Sequence, residues 1–193
     1  MKKLTLASVL ALVAGPALAH TGHGDASGFL AGMSHPVLGP DHLLAMLTVG
    51  LWSGFVLPNR FWAGAATFLA AMALGAGLSW SGVAIPMVES WITASVAVFG
   101  LLTLLARRGQ SAGVTGLSLA AIAAFALCHG HAHATEASGN AAVYLAGFLM
   151  ATAALHLAGI ALARGVANGR TARLLQSALG LGITGAGLLM MAG

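Results

Sequence analysis

The sequence predicts an all-α membrane protein, a bundle of about six transmembrane helices behind a cleavable signal peptide. Three features carry that reading. Of the 193 residues, 59% are hydrophobic and only 6% are charged, whereas a soluble domain carries about 25% charged residues. The hydrophobic residues gather into six runs, each near the ~20 residues that a spanning helix needs. Glycine numbers 27, about twice ordinary usage, and small residues let membrane helices approach one another closely.

Residues 1–19 have the layout of a secretory signal. Lys2 and Lys3 form the charged start, Leu4 to Ala14 the apolar core, Gly15-Pro16 the break and Ala17-Leu18-Ala19 the cleavage site. The apolar core is too short to span comfortably as an uncleaved helix. Cleavage exposes His20-Thr21-Gly22-His23-Gly24-Asp25, a polar segment whose imidazoles and amine are able to collect a divalent cation loosely. Residues 20–193 then form a single transmembrane helical domain. A short amphipathic stretch from Gly28 to Ser34 leads into it. The six helices are expected at about 41–57, 61–80, 86–106, 114–133, 141–163 and 172–191. The connections between them are short and leave no room for a separate soluble domain.

Charge sets the expected orientation. With the mature N-terminus outside, the loops at Arg60, Arg107-Arg108 and Arg164 to Arg173 fall in the cytoplasm, and they hold every arginine of the chain. The opposite side receives Asp25, Glu89 and Glu136 and no basic residue of the mature chain. This is the pattern of the positive-inside rule, and it puts both mature termini in the periplasm of a bacterial inner membrane. The net charge of +4 is no nucleic-acid signal, because basic residues never cluster beyond two adjacent positions. One cysteine, Cys128, cannot build an internal disulfide framework.

The compositional anomaly is histidine, eight residues against eight Lys and Arg together. Two of these open the first long helix in His35-Pro36-Val37-Leu38-Gly39-Pro40-Asp41-His42. Pro36, Gly39 and Pro40 interrupt a regular helix there. A broken backbone beside inward-facing polar groups is how membrane transporters build ion sites. The bland alternative is a kinked helix entry wetted by headgroups; His, Asp and His together point instead to a metal site.

A second group, Cys128-His129-Gly130-His131-Ala132-His133-Ala134-Thr135-Glu136, falls at the same expected end of the fourth helix. His129 and His133 are four apart and share a helical face that Glu136 continues. Imidazole suits Zn, Cu, Fe and Ni, so the pair is a competent two-point clamp. His131 points elsewhere if the helix persists, and Cys128 reads as a packing residue. A third position, His156, lies deep in the fifth helix, ~24 Å from its outer end at 1.5 Å per residue. Thr152 sits on the same face one turn back. Buried histidines often only bond a neighbouring helix, yet intramembrane ionisable residues mark ion pathways. Glu89, opening the third helix, reads as a solvated end residue.

These residues also carry a resemblance. The order His35-Pro36-x-x-Gly39-x-Asp41-His42-x-x-Ala45-Met46, then His129-Gly130-x-Ala132-His133-x-x-Glu136, then Leu155-His156-x-x-Gly159 resembles the HupE/UreJ family over essentially the whole mature chain. Its members are hydrogenase- and urease-associated permeases for nickel, in some cases cobalt. The resemblance implies that His35, Asp41 and His42 are the principal metal-binding residues, joined by His129, His133, Glu136 and His156. Cys128 stands where the family pattern has an aromatic residue, and Ala134 where it has glycine.

The expected function is therefore a secondary transporter that imports Ni2+ or Co2+ from periplasm to cytoplasm, with no prosthetic group and the metal as its cargo. No loop of the G-x-x-x-x-G-K-[ST] type supplies a site for ATP. The alternative is an intramembrane zinc-dependent hydrolase, in which the same His and Asp residues hold zinc with one position open for water. Two depths of polar residues, as a path requires, favour the carrier.

Overall fold

The structure is a computed structural model, and it describes residues 28–137, 140–165 and 169–193. The expected signal peptide, its cleavage site, His20 and His23 lie outside the described residues. Seven helices are present among them: α1 (Gly28–Leu38), α2 (Pro40–Val56), α3 (Ala63–Trp80), α4 (Val88–Leu105), α5 (Ala112–Glu136), α6 (Ala141–Gly165) and α7 (Arg170–Ala192). The last five are long and apolar enough to cross a membrane. The described residues are thus all-helical in their regular structure, as the composition predicts.

The element expected to be the first span differs most. α2 has 17 residues, about 25 Å at 1.5 Å per residue, against a hydrocarbon core of about 30 Å. It is nevertheless the centre of the bundle. Eleven of its residues are buried, among them Met46, Val49, Trp52 and Phe55, and it touches α3, α4, α6 and α7. A helix that is apolar on nearly every face is a buried one, and Leu43 to Val56 are apolar apart from Thr48 and Ser53, both buried.

The break before α2 also sits more narrowly than the prolines suggest. α1 runs through Pro36 and ends at Leu38. The interruption is at Gly39, whose extended backbone (φ −87°, ψ 114°) precedes Pro40 in the first turn of α2. Proline forces its predecessor out of the helical region, and its missing N–H is no loss at a helix start. The Gly39 N–H still bonds the His35 carbonyl at 3.1 Å, and the Gly39 carbonyl accepts from Leu43 N–H at 2.9 Å. Only one residue is spent on the turn, so His35 and His42 stay close across it.

α5 runs three residues past the boundary that hydropathy sets at His133, to Glu136. Its polar end stays helical because His129, Gly130, His131, Ala132 and His133 are all buried against neighbouring helices. Gly130 makes the seating possible. A Cβ there would overlap the Met72 carbonyl of α3, and one on Gly75 of α3 would overlap the Leu127 carbonyl of α5. This reciprocal contact uses glycine as membrane helix interfaces do, and it fixes the direction of His129 and His131 on either side. We expect Gly130→Ala to lower the thermal stability of the purified protein by about 1–3 kcal/mol through overpacking. Substitution at Gly116, where a Cβ meets nothing within 4 Å, is the control that should leave stability near wild type.

The three arginine loops meet at one end. The Gly109 N–H reaches the Val56 carbonyl at 3.4 Å, Arg164 Nη1 donates to the Pro58 carbonyl at 3.3 Å and Arg173 Nη1 to the Ala106 carbonyl at 2.6 Å. Gln176 adds bonds to the carbonyls of Thr103 and Ala106 at 2.7 and 2.9 Å, so α7 caps the open carbonyls at the end of α4. The histidine motifs of α1, α2 and α5 lie at the other end.

Candidate metal centre

At that end three imidazoles from three helices converge. His35 of α1, His42 of α2 and His133 of α5 each offer a ring nitrogen, and these atoms all lie within 4.8 Å of one another. The His42 and His133 ring centroids are 4.4 Å apart, and the His35 ring is 4.6 Å from His133 and 5.3 Å from His42. His42 and His133 are buried, and His35 is partly open to the outside. Phe148 of α6 packs against all three rings, its own 4.1 Å from that of His133.

Hydrogen bonds fix which nitrogen each ring presents. His42 Nδ1 lies 2.6 Å from Asp41 Oδ1, and His133 Nδ1 lies 3.2 Å from Glu136 Oε2. A carboxylate accepts only, so each Nδ1 carries the proton and each Nε2 is left as a bare lone pair. Those two Nε2 atoms face each other at 2.5 Å. Two bare nitrogens turned toward one point are an arrangement that a shared cation would satisfy. With metal–nitrogen bonds of ~2.0–2.1 Å, two imidazole nitrogens on one ion stand roughly 2.9–3.4 Å apart, for angles at the metal from 90° to tetrahedral. A parting of roughly 0.4–0.9 Å therefore admits an ion.

The carboxylates expected among the ligands stand behind the imidazoles instead. Asp41 Oδ1 also accepts from the backbone N–H of His42 at 2.8 Å, which ties it to orienting that ring. Glu136 Oε2 sits 3.6 Å from His35 Nε2 as well as bonding His133. Carboxylate behind imidazole is the usual arrangement around metal-bound histidine, where it fixes ring orientation and raises ligand basicity. Burial pushes the His35 imidazole below its ordinary range, and neighbouring His42 pushes it the same way. Near neutral pH it is held in the uncharged form that ligates.

The expected i, i+4 clamp does not close on one point. His129 and His133 rings are 6.5 Å apart, because His133 turns to α1 and α2 while His129 turns to α4. There its Nε2 lies 3.1 Å from Ser95 Oγ. His131 points away from the cluster and bonds the Val83 carbonyl through Nε2 at 2.6 Å, holding the α3–α4 connection. His156 is fully buried in α6, with Nδ1 2.6 Å from the Met46 carbonyl of α2. Thr152, one turn back, donates to Met46 Sδ at 3.2 Å. Glu89 opens α4 as an exposed residue.

Between His129 and His156 stands Phe68 of α3. Its ring centroid is 5.4 Å from that of His129 and 4.9 Å from that of His156. Sequence reasoning gave no role to Phe68, Ser95 or Phe148. The two phenylalanines are indistinguishable from core residues in an apolar run. Ser95 carried a usable signal, a hydroxyl within a membrane-length helix.

Comparison with known proteins adds two findings. The family model described as HupE / UreJ protein matches residues 8–190. The chain is 39% identical over 196 residues to Protein HupE of Rhizobium leguminosarum bv. viciae, covering 98% of this chain and 100% of that protein. No solved structure matches it.

Proposed function

The chain belongs to the HupE/UreJ family, and from that premise we propose that it is a secondary permease carrying Ni2+ or Co2+ from periplasm to cytoplasm for metalloenzyme maturation. The family is one of hydrogenase- and urease-accessory nickel/cobalt transporters, and it lends no support to the hydrolase alternative. One observation carries the reading at the level of atoms. The bare Nε2 atoms of His42 and His133 face each other at 2.5 Å, each backed by a carboxylate on its other nitrogen.

In this proposal α2 to α7 make six crossings, with the histidine cluster at the periplasmic end and the arginine loops inside. Asp41 and Glu136 offset the charge of an incoming divalent cation, whose loss of water is costly unless compensated. The ion passes from His35, His42 and His133 past His129 to His156 and out through the arginine end. The membrane potential drives it, since inward movement of two charges is favoured by ~2 × 2.3 kcal/mol per 100 mV. Imidazole donors suit nickel, copper, zinc and iron alike, and Cu2+ binds more tightly than nickel by intrinsic affinity. The assignment to nickel or cobalt rests on the family.

The test is uptake of radioactive nickel into proteoliposomes with an inside-negative potential, alongside metal analysis of the purified protein. Uptake that follows the imposed potential supports the proposal; a protein that holds metal yet moves none would overturn it. Acidification should raise the nickel concentration for half-maximal uptake, because imidazole must be neutral to ligate and its ordinary pKa is ~6.5. Orientation has its own check. A periplasm-active reporter fused after Met191 should be active, and one fused within the 164–173 loop silent. The reverse pattern would assign every site to the other face.

A further inference from the structure

Ser95 contacts an imidazole on this path, His129, that presents the opposite nitrogen to His42, His133 and His156. The serine lies in the middle of α4, fully buried among Ile92, Val96 and Phe99. A serine in a membrane helix often needs no partner beyond its own backbone, since the hydroxyl bonds back to a carbonyl three or four residues earlier. Ser95 does this, donating to the Ile92 carbonyl at 2.6 Å. That bond has a consequence for His129. A hydroxyl has a single proton, and this one is committed to Ile92. Toward His129 Nε2, 3.1 Å away, Ser95 Oγ can only accept.

The proton of neutral His129 must then sit on Nε2, leaving Nδ1 as the bare nitrogen. His129 Nδ1 is buried and has no hydrogen-bond partner among the described residues. His42, His133 and His156 are the reverse case. Each has Nδ1 held by an acceptor, Asp41, Glu136 or the Met46 carbonyl, and each presents Nε2. We infer that Ser95 is a positioning residue for metal transfer, fixing His129 as the Nε2–H tautomer so that the cation leaving the outer cluster meets Nδ1. His129 is one helical turn inward of His133, and its ring lies 5.0 Å from that of His42. It is therefore the next imidazole an inward-moving ion reaches. A Nδ1 donor also lies nearer its own backbone than a Nε2 donor, so the ion is drawn toward α5.

The inference rests on the transport reading, and the experiment separates the two. Nitrogen NMR of the metal-free, histidine-labelled protein distinguishes Nδ1–H from Nε2–H, and His129→Gln identifies the His129 signals by their loss. Wild type should show the proton of His129 on Nε2, and Ser95→Ala should lose that preference. In proteoliposomes Ser95→Ala should lower the maximal nickel uptake rate about 10–100-fold, the range for loss of a group that orients a metal-binding histidine. Ser95→Thr, which retains the hydroxyl, should recover most of it. Nickel bound by the purified protein at the outer cluster should be the same in all three. Protonation of His129 on Nδ1 in wild type overturns the inference whatever the rates, and decides the matter even if neither variant folds. So does Ser95→Ala with wild-type uptake and tautomer. Failure of wild type itself to transport nickel overturns the permease reading and leaves the tautomer result standing.

Discussion

His42→Ala will weaken equilibrium nickel binding by the purified protein about a hundredfold or more and, with it, uptake at low nickel. The ring it removes is the hub of the outer cluster. It faces His133 Nε2 at 2.5 Å, lies 5.3 Å from His35 and 5.0 Å from His129 by ring centroids, and comes from the enclosed central helix. Without it, His133 and His35 are left as two donors on different helices, linked only through Glu136, and affinity should fall about a hundredfold or more. Asp41→Asn is the graded companion. Asparagine Oδ1 still accepts from His42 Nδ1 and from the backbone N–H, so the ring keeps its direction and the helix its start. What is lost is the negative charge that raises the basicity of His42 and offsets that of the ion. Affinity should drop by about 10–100-fold, with the protein inserted and folded as before. Metal titration of the two variants in detergent measures both. Wild-type affinity in Asp41→Asn would reduce the carboxylate to a helix-start residue, and wild-type affinity in His42→Ala would remove the cluster from the pathway.

Sequence and structure agree best where one residue type forces the outcome. Sparse charge and long apolar runs require helices, and the arginines in alternate loops collect at one end because each connection is too short to go elsewhere. Gly39-Pro40 required a break, and the structure puts it there. What escaped the sequence was set by contacts between helices. The His129–His133 spacing is compatible with a shared ion, yet α4 presents Ser95 to one ring and α2 presents His42 to the other, which draws them apart. Asp41 adjoins His42 in sequence, and nothing local indicates whether its carboxylate binds a metal or holds a ring; the 2.6 Å contact to His42 Nδ1 depends on where that ring is called by His133. α2 reads as an ordinary span, but its place among five other helices depends on close contacts such as Gly50 on the His156 carbonyl and Gly159 on the Leu47 carbonyl. Hydropathy cannot report those. Phe68 is the clearest case. As a residue it is ordinary core, and its position between two buried histidines is visible only in three dimensions.

His156→Asn should leave nickel binding at the outer cluster intact while lowering the maximal rate of transport about tenfold or more, the scale of a lost metal-orienting or metal-binding group. Asparagine is chosen because its amide N–H can stand near the place of Nδ1–H and keep the bond to the Met46 carbonyl, now 2.6 Å. Only the far side of the ring is removed. That side carries Nε2, which is buried without a hydrogen-bond partner among the described residues, against the Phe68 ring at 4.9 Å. An unpartnered nitrogen in a membrane interior is costly, and a transient cation is a partner that would repay it. Conduction needs sites that bind well enough to admit an ion and weakly enough to release it, usually more than one. Three imidazoles backed by two carboxylates suit capture; one imidazole with a backbone carbonyl behind it suits passage. The two substitutions therefore separate the stages. His42→Ala should lose binding and uptake together, and His156→Asn should lose rate at unchanged binding, read by metal titration in detergent and initial uptake rates in proteoliposomes. If His156→Asn abolishes equilibrium binding and His42→Ala preserves it, the order is inverted and the deep histidine is the primary site.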